Sequence, residues 1–396
     1  MKSISNIAQG IAPSSTLAVD SLAKEMKKQG IDVITFGTGE PDFDTPENIK
    51  QAGIEAIRAG FTKYTAAAGL PELRSAVCQR LKADCGLDYD NSEITIASGA
   101  KHSVYLALAC TVNPGDEVIL PAPYWVSYYE IIRMVGGVPV IVTADEKSDF
   151  KISASQLEAA VTDKTKLLIL NNPSNPTGML YTRNELEAIA EVCVRNDLYV
   201  LSDEIYYRLV YDGREFVSFA SLGPEVKERT ILINGVSKSY AMTGWRVGYS
   251  AANKQISKVM ANFVSHSTGA PATMAQMAAI EALLGDQSGI EAMRGVFEQR
   301  RDYIVKRINA IDGVSCLNPE GAFYVMMNIE KLKGRTLGGR EINNGDDFAM
   351  AFLEKGLVAL VSCSGFGEPD FVRWSYAASI ENIKKGLDRL EKFLNS

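Results

Sequence analysis

From about residue 93 the chain alternates short apolar runs with helical segments, and that alternation narrows the fold more than any other feature. Strands separated by helices pair in parallel, because a helix is the usual crossover that brings the chain back to the same sheet edge. The pattern predicts strands over 93–97, 117–120, 138–142, 167–170, 199–201, 230–233 and 246–251, with helices such as 183–196 between most of them. Runs without polar alternation, such as Ile231-Leu232-Ile233, predict strands buried on both faces. The expected fold class is α/β, a mostly parallel sheet flanked by helices.

The flanks differ. The first 45 residues are irregular apart from one amphipathic helix over 16–29, stopped by Gly30. Thr45 and Pro46 predict the start of the next helix, as N-cap and first-turn proline, with Gly60 closing it. Helices over 254–266 and 272–285 lead into a long helix, about 289–311. The remainder predicts a smaller α+β domain: strands at 323–327, 358–361 and 371–374, a Gly/Asn-rich loop over 333–345, and a last helix over 380–395. A chain of 396 residues is long enough for two cores.

In an open parallel sheet, ligands bind beyond the C-terminal ends of the strands. The residues just past each predicted strand are therefore informative. After 93–97 come Ser98-Gly99-Ala100-Lys101, small residues opening a helix whose N–H groups and dipole suit a phosphate. After 167–170 comes Asn171-Asn172-Pro173-Ser174-Asn175-Pro176-Thr177-Gly178, a proline-fixed polar loop presenting Asn175. After 199–201 comes Ser202-Asp203-Glu204-Ile205-Tyr206, and a carboxylate at that depth requires a cationic partner. After 230–233 comes Ser237-Lys238-Ser239, with Arg246 shortly beyond. An ammonium just past a buried strand is costly unless paired, neutral or consumed by a covalent bond. Only a neutral lysine attacks a carbonyl.

Composition removes competing chemistries. There are two histidines, His102 and His266, so a histidine metal site or a Ser-His-Asp triad is not expected. The six cysteines show no CxxC or zinc-type spacing. A net charge of −7 gives no basic footprint for nucleic acid. No apolar run approaches a membrane span, and the N-terminal residues have neither signal nor transit character, so a cytoplasmic location is expected.

Lysine, buried aspartate, phosphate cradle and arginine together match the needs of pyridoxal phosphate (PLP): an amine for its aldehyde, an acid for its ring nitrogen, donors for its phosphate. The segments NPSNPTG, SDEIY and SKSYAMTGWRVG resemble those of the class-I aminotransferases of the aspartate aminotransferase family, PLP fold type I. The likeness runs from GTGEPDFDTP (37–46) and KYTAAAGLPELR (63–74) through PAPYWVSY (121–128) to VRWSYA (372–377), nearly the whole chain.

The resemblance implies a large PLP-binding domain over 46–290 and a discontinuous small domain made of 1–45 and 291–396. It implies that Lys238 condenses with the cofactor and then shuttles a proton between substrate Cα and cofactor C4′. Asp203 would pair with the ring nitrogen, Asn175 and Tyr206 with the ring 3-oxygen, and Trp125 would stack on the ring. Gly99, Ala100, Arg246 and Ser237 would hold phosphate. Tyr64 would reach the phosphate of a neighbouring subunit, implying a homodimer with shared active sites. Arg373 would grip the substrate α-carboxylate, helped by the Gly39 amide and Asn175. Some family members carry a serine where this chain has Gly235, which is why Ser237 is the candidate hydroxyl. The region 264–276 lacks the arginine that one branch uses for an acidic side chain, and Lys101 stands where another branch has a lysine for that work. The implied reaction is transfer of the amino group of L-aspartate to 2-oxoglutarate by a ping-pong cycle. The alternatives are an aromatic or prephenate aminotransferase, with Lys101 and Thr16 taking a carboxylated ring, or a PLP-dependent lyase.

Overall fold

The computed structural model describes residues 2–12 and 15–395, with the side chains of residues 15–18 and 20 excepted. Its centre is a seven-stranded sheet in the order Ile94–Ala97, Gly248–Ala251, Thr230–Gly235, Tyr199–Asp203, Thr165–Asn171, Glu117–Ala122, Val138–Thr143. Six strands run parallel, and Gly248–Ala251 is antiparallel to both of its neighbours. The strands at 94–97, 230–235 and 248–251 are buried at every position, as their unbroken apolar character predicts.

The one reversed strand matters for the site. Because it runs against the others, it begins at the edge where they end: Gly248 pairs with Ala97 on one side and Gly235 on the other. Arg246, two residues before it, therefore shares an edge with the residues that come after the parallel strands. The middle strand of the seven is Tyr199–Asp203, whose last residue is in register with Asn171 and Ile233.

Local sequence accounts for the flanking helices. Thr182 and Glu185 form a reciprocal capping box that starts Arg183–Arg195. Pro71 opens Pro71–Cys85, and Gly86 ends it at φ 69°, where a side chain would be strained.

A second body is built on a three-stranded antiparallel sheet, Val361–Ser362, Phe371–Ser375 and Tyr324–Asn328, covered by the helices Ser288–Ile308 and Ile380–Leu394. The N-terminal run joins it. Ile34–Thr35 pairs in parallel with Val358–Ala359, and Ile34 and Phe36 share one apolar core with Phe297, Trp374 and Leu390. Among the described residues no helix is long and apolar enough to cross a membrane.

Five expectations need correcting. The strand predicted over 246–251 starts only at Gly248, since Arg246 takes φ 56° to turn the chain out of the short helical turn Thr243–Trp245. Thr45 does not cap the helix Glu47–Arg58. Pro46 stands at the N-cap without a side-chain bond, and the Thr45 hydroxyl donates to the Ala241 carbonyl at 2.7 Å while accepting from the Trp245 indole at 3.0 Å. The strand predicted over 358–361 is two, because Leu360 marks the switch from the pairing with Ile34–Thr35 to the pairing with Phe371–Ser375. The first 45 residues hold a short helix, Asn6–Gly10, besides the predicted helix, which spans Ser15–Lys28, and the loop over 333–345 contains a small hairpin.

Gly248 lies where the reversed strand passes the turn at Gly99. A Cβ there would sit 2.3 Å from the Ala100 nitrogen and 2.4 Å from the Gly99 carbonyl carbon, both backbone atoms that cannot swing aside. Gly248→Ala should therefore lose about 1–3 kcal/mol of stability. Urea unfolding measures this, and an unchanged midpoint would contradict so close an approach of the two backbones.

Candidate active site

The strand ends converge on a cavity of about 320 Å³ between the two sheets. Asp203 closes its floor. It is 4% exposed, with Oδ2 accepting from the Tyr128 phenol at 2.7 Å and Oδ1 from the Ile205 N–H at 3.2 Å. Burial raises its carboxyl to about 6, against the pull of the Tyr128 phenol, the Ile205 amide and the Lys238 charge. Among the described residues no lysine or arginine forms an ion pair with it. The sheet thus ends in an acid that lacks its cation.

Lys238 comes after the adjacent strand, and its Nζ donates to the Gly39 carbonyl. Burial, then Arg373 and to a smaller degree Arg246, lower its ammonium from the ordinary lysine value to about 8, while Glu40 and Asp203 oppose the shift. A lysine so placed is neutral for a useful fraction of the time near neutral pH.

Arg373 comes from the small sheet, on Phe371–Ser375, and is 3% exposed. Its Nη1 donates to Asn175 Oδ1 at 2.9 Å and its Nη2 to the Gly37 carbonyl at 2.8 Å. The guanidinium lies 4.3 Å from the Tyr324 ring centre and 5.1 Å from that of Phe366, so aromatic faces hold its plane. Its Nε is buried without a partner, and among the described residues no carboxylate pairs with it. Two neutral oxygens on a buried guanidinium leave room for a planar anion.

At the far end, Gly99 at φ 84° opens the helix Ala100–Thr111; Ala100 and Lys101, in its first turn, line the cavity, while the Gly99 N–H donates to the Ala97 carbonyl at 2.7 Å. Arg246 lies against it: Nη1 donates to the Thr243 carbonyl at 2.9 Å, Nη2 to the Ser98 carbonyl at 3.3 Å, and a Cβ on Gly99 would come within 2.4 Å of Nη2. Ser237 is buried on the same wall. Trp125 stands at the N-cap of Val126–Met134 and meets Tyr128, one turn on, edge to face at 5.2 Å. Lys101 Nζ lies 4.9 Å over the Trp125 ring.

The cavity therefore brings together Lys238, Asp203, Asn175, Tyr206, Arg246, Arg373, Trp125, Ala100, Ser237, Gly39 and Lys101, with Gly99 behind them. Two predicted residues are not among them. Tyr64 is fully exposed and outside this cavity, and the Thr16 side chain lies outside the described residues. Among the lining residues to which the sequence reading gives no role are Tyr128 and Tyr324. Tyr128 could have been found from its i+3 relation to Trp125 in the quoted PAPYWVSY segment. Tyr324, whose phenol meets that of Tyr206 at 3.0 Å, carries no sequence signal.

The donor set fits a phosphorylated aromatic aldehyde with a basic ring nitrogen. A small-residue cradle backed by an arginine stands at one end, an unpaired buried acid below, an indole wall beside and a desolvated lysine within reach. Residues 31–390 match the family of class I and II aminotransferases, and the chain belongs to that family. It is 47% identical over 391 residues to the aspartate aminotransferase of Bacillus sp. (strain YM-2), covering 99% of each chain, and 45% identical to the aspartate/prephenate aminotransferase of Cereibacter sphaeroides, again over 99% of each. Among solved structures it superposes on the aspartate aminotransferase of Rhizobium meliloti with a TM-score of 0.96 at 41% identity, covering 100% of this chain and 99% of that one. It also superposes on the Thermus thermophilus aspartate aminotransferase with maleate, at 0.94 and 38%, covering 99% and 100%. The fold is that of PLP fold type I.

Tyr128→Phe removes the phenol that donates to Asp203. That bond favours the ionised carboxylate, so its loss should raise the Asp203 value further and cost stability mainly above pH 6. The expected loss is about 1.5–3 kcal/mol at pH 8 and less at pH 5, where the carboxyl is already protonated. Equal losses at both pH values, read from unfolding curves of the cofactor-free protein, would contradict this.

Proposed function

We propose that the protein is a cytoplasmic, homodimeric, PLP-dependent enzyme that transfers the amino group of L-aspartate to 2-oxoglutarate. The observation that carries the reading is a buried acid without a cation, Asp203, on the same cavity as a desolvated lysine and a guanidinium without an acid. PLP supplies an electron sink conjugated to the substrate's Cα, provided that its ring nitrogen stays protonated.

The chain's own groups divide the remaining work. Asp203 holds the proton on the ring nitrogen, and its burial makes that pairing the means by which its charge is compensated. Tyr206 and the Asn175 amide donate to the ring 3-oxygen, and Trp125 covers the ring. The Ala100 amide, Ser237 and Arg246 take the phosphate, and the Gly99 amide would join them only by giving up the Ala97 carbonyl. Arg373 presents two parallel N–H donors to the α-carboxylate, exchanging the Gly37 carbonyl for charged oxygens, with Asn175 and Gly39 alongside. Lys238 would be the amine for the cofactor's aldehyde and, when free, the base that moves a proton between substrate Cα and cofactor C4′.

Lys101 is the candidate partner for a side-chain carboxylate. Burial and then Arg246 lower its ammonium, and an incoming carboxylate would offset both. Binding of maleate, a dicarboxylate, by the Thermus thermophilus relative supports the same class of substrate here. Thr16 would help to frame a bulkier carboxylated substrate. The aspartate/prephenate relative keeps aromatic or prephenate oxo acids as the second reading. A lyase would instead release ammonia or an eliminated group without need of an amino acceptor.

The homodimer is supported by Tyr64, which is fully exposed and follows in the chain the exposed apolar residues Ile54, Ile57 and Phe61. Tyr64 would then reach the phosphate in a second copy's site. Two lobes, 46–290 against 1–45 with 291–396, are supported by the core that Ile34 and Phe36 share with the C-terminal strands and helices.

Loading of PLP onto Lys238 should quicken as pH rises through about 8, where the ammonium loses its proton, and level off above it. Arg373→Leu removes the largest charge acting on Lys238 and should move that midpoint upward. A pH-independent rate measured by stopped-flow absorbance would contradict the assignment. In steady-state kinetics, the same variant should lose about 2–5 kcal/mol of aspartate binding. Lys101→Ala should harm aspartate far more than an apolar amino acid, and equal effects on the two would reject a side-chain contact.

A further inference from the structure

Glu204 does not line the cavity, although it stands between Asp203 and Ile205, which do, and is 1% exposed. Its carboxyl is bonded asymmetrically. Oε1 accepts three hydrogen bonds, from the Ser202 hydroxyl at 2.9 Å, the Ser218 hydroxyl at 2.9 Å and the Phe219 N–H at 3.1 Å. Oε2 is buried with no partner at all.

The three donors come from two places in the chain. Ser202 precedes Glu204 on the central strand, whereas Ser218 and Phe219 stand where the chain returns after an excursion over 205–218. That excursion carries Tyr206 into the cavity and is sewn to the small body. Val210 bridges to Gly321, Tyr211 N–H donates to the Glu320 carbonyl at 3.0 Å, and Ala322 N–H donates to the Leu209 carbonyl at 2.9 Å. Asp212 takes both Nη groups of Arg301 at 2.7 Å. Two residues beyond Ala322 lies Tyr324, which holds Tyr206 and underlies Arg373.

We propose that Glu204 is a positioning residue for the reaction: its Oε1 ties together the two ends of the 205–218 excursion, fixing Asp203 and Tyr206 beneath the cofactor ring and in step with the lobe that carries Arg373. It acts through its neighbours. The Ile205 N–H that orients Asp203 Oδ1 is the first donor after the clamp, so a loose clamp loosens the Asp203 carboxylate. The inference rests on the PLP-dependent function proposed for the site.

The clamp needs an acceptor oxygen and no charge. The titratable groups facing Glu204 are Asp203, Cys85, Tyr89 and Tyr249, all acids, and among the described residues no lysine or arginine pairs with it. Burial raises its carboxyl to about 7. A neutral amide offering one carbonyl oxygen should therefore serve equally well, whereas a methyl group cannot.

The test uses the PLP-loaded enzyme and three variants: Ser218→Ala, which removes one donor at the exit of the excursion, Glu204→Ala, and Glu204→Gln as the conservative rescue. The measurements are the PLP dissociation constant, the midpoint of the bound cofactor's visible pH titration, and kcat separated from KM for aspartate. Ser218→Ala and Glu204→Ala should weaken PLP binding, the latter about tenfold or more. Both should raise the titration midpoint, because a ring nitrogen held less firmly draws less electron density from the rest of the cofactor. Both should lower kcat more than they raise KM, and Glu204→Gln should restore all three measurements to near parental values. Should Glu204→Ala fail to fold, Ser218→Ala alone decides: parental affinity and midpoint in that variant overturn the clamp. A Glu204→Gln variant as damaged as Glu204→Ala overturns it as well. Failure of the underlying PLP function would look different, because the parent itself would then bind no PLP.

Discussion

Everything at this site is arranged around one uncompensated charge. The central strand of the sheet ends in Asp203, deep enough that water does not solvate it, and no cation of the described chain does so instead. A phenol and one backbone amide reduce the cost but do not remove it, and the carboxyl stays above the ordinary aspartate range. A ligand that arrives with a protonated ring nitrogen relieves this penalty, and the relief is a source of binding free energy specific to that ligand.

The sheet topology explains why the other groups are at hand. Parallel strands end together, so the residues after 97, 171, 203 and 235 share an edge. The single antiparallel strand adds Arg246 from the opposite direction, which a wholly parallel sheet could not do at that position. The small body adds a second, separately supported cation. Arg373 is held flat against Tyr324 and bonded to two neutral oxygens, so it is pre-oriented for a carboxylate without being neutralised beforehand. Burial first, and then the charges of Arg373 and Arg246, lower the lysine value against the opposing pull of Glu40 and Asp203. The same electrostatics that select an anionic substrate thereby also free the amine for reaction.

Much of this is legible in the sequence, for definable reasons. Buried parallel strands show as unbroken apolar runs, and the residues just after them are few, so Asn175, Asp203, Lys238 and Arg246 stand out as candidates. Where propensity and tertiary demand diverge, the sequence misleads. Arg246-Val247-Gly248-Tyr249 alternates like a strand, yet Arg246 must take a left-handed turn to reach the cradle. Thr45 has the chemistry of a cap but is drawn away by Ala241 and Trp245, nearly 200 residues along the chain. Tyr324 lies in an apolar strand with nothing to distinguish it, and its role emerges only when the small sheet folds over the large one. Tyr64 is fully exposed and lies outside the cavity, so the role proposed for it rests on the proposed second copy of the chain.

The central claim is a covalent one, that Lys238 and no other amine takes the cofactor. Its most direct test is to load the protein with PLP, reduce it with borohydride, and map the peptides by mass. The account predicts a single tagged peptide containing Lys238, and no tagged peptide in Lys238→Ala. A tag on Lys101 or on surface lysines, or a parent protein that takes no tag at all, would contradict it.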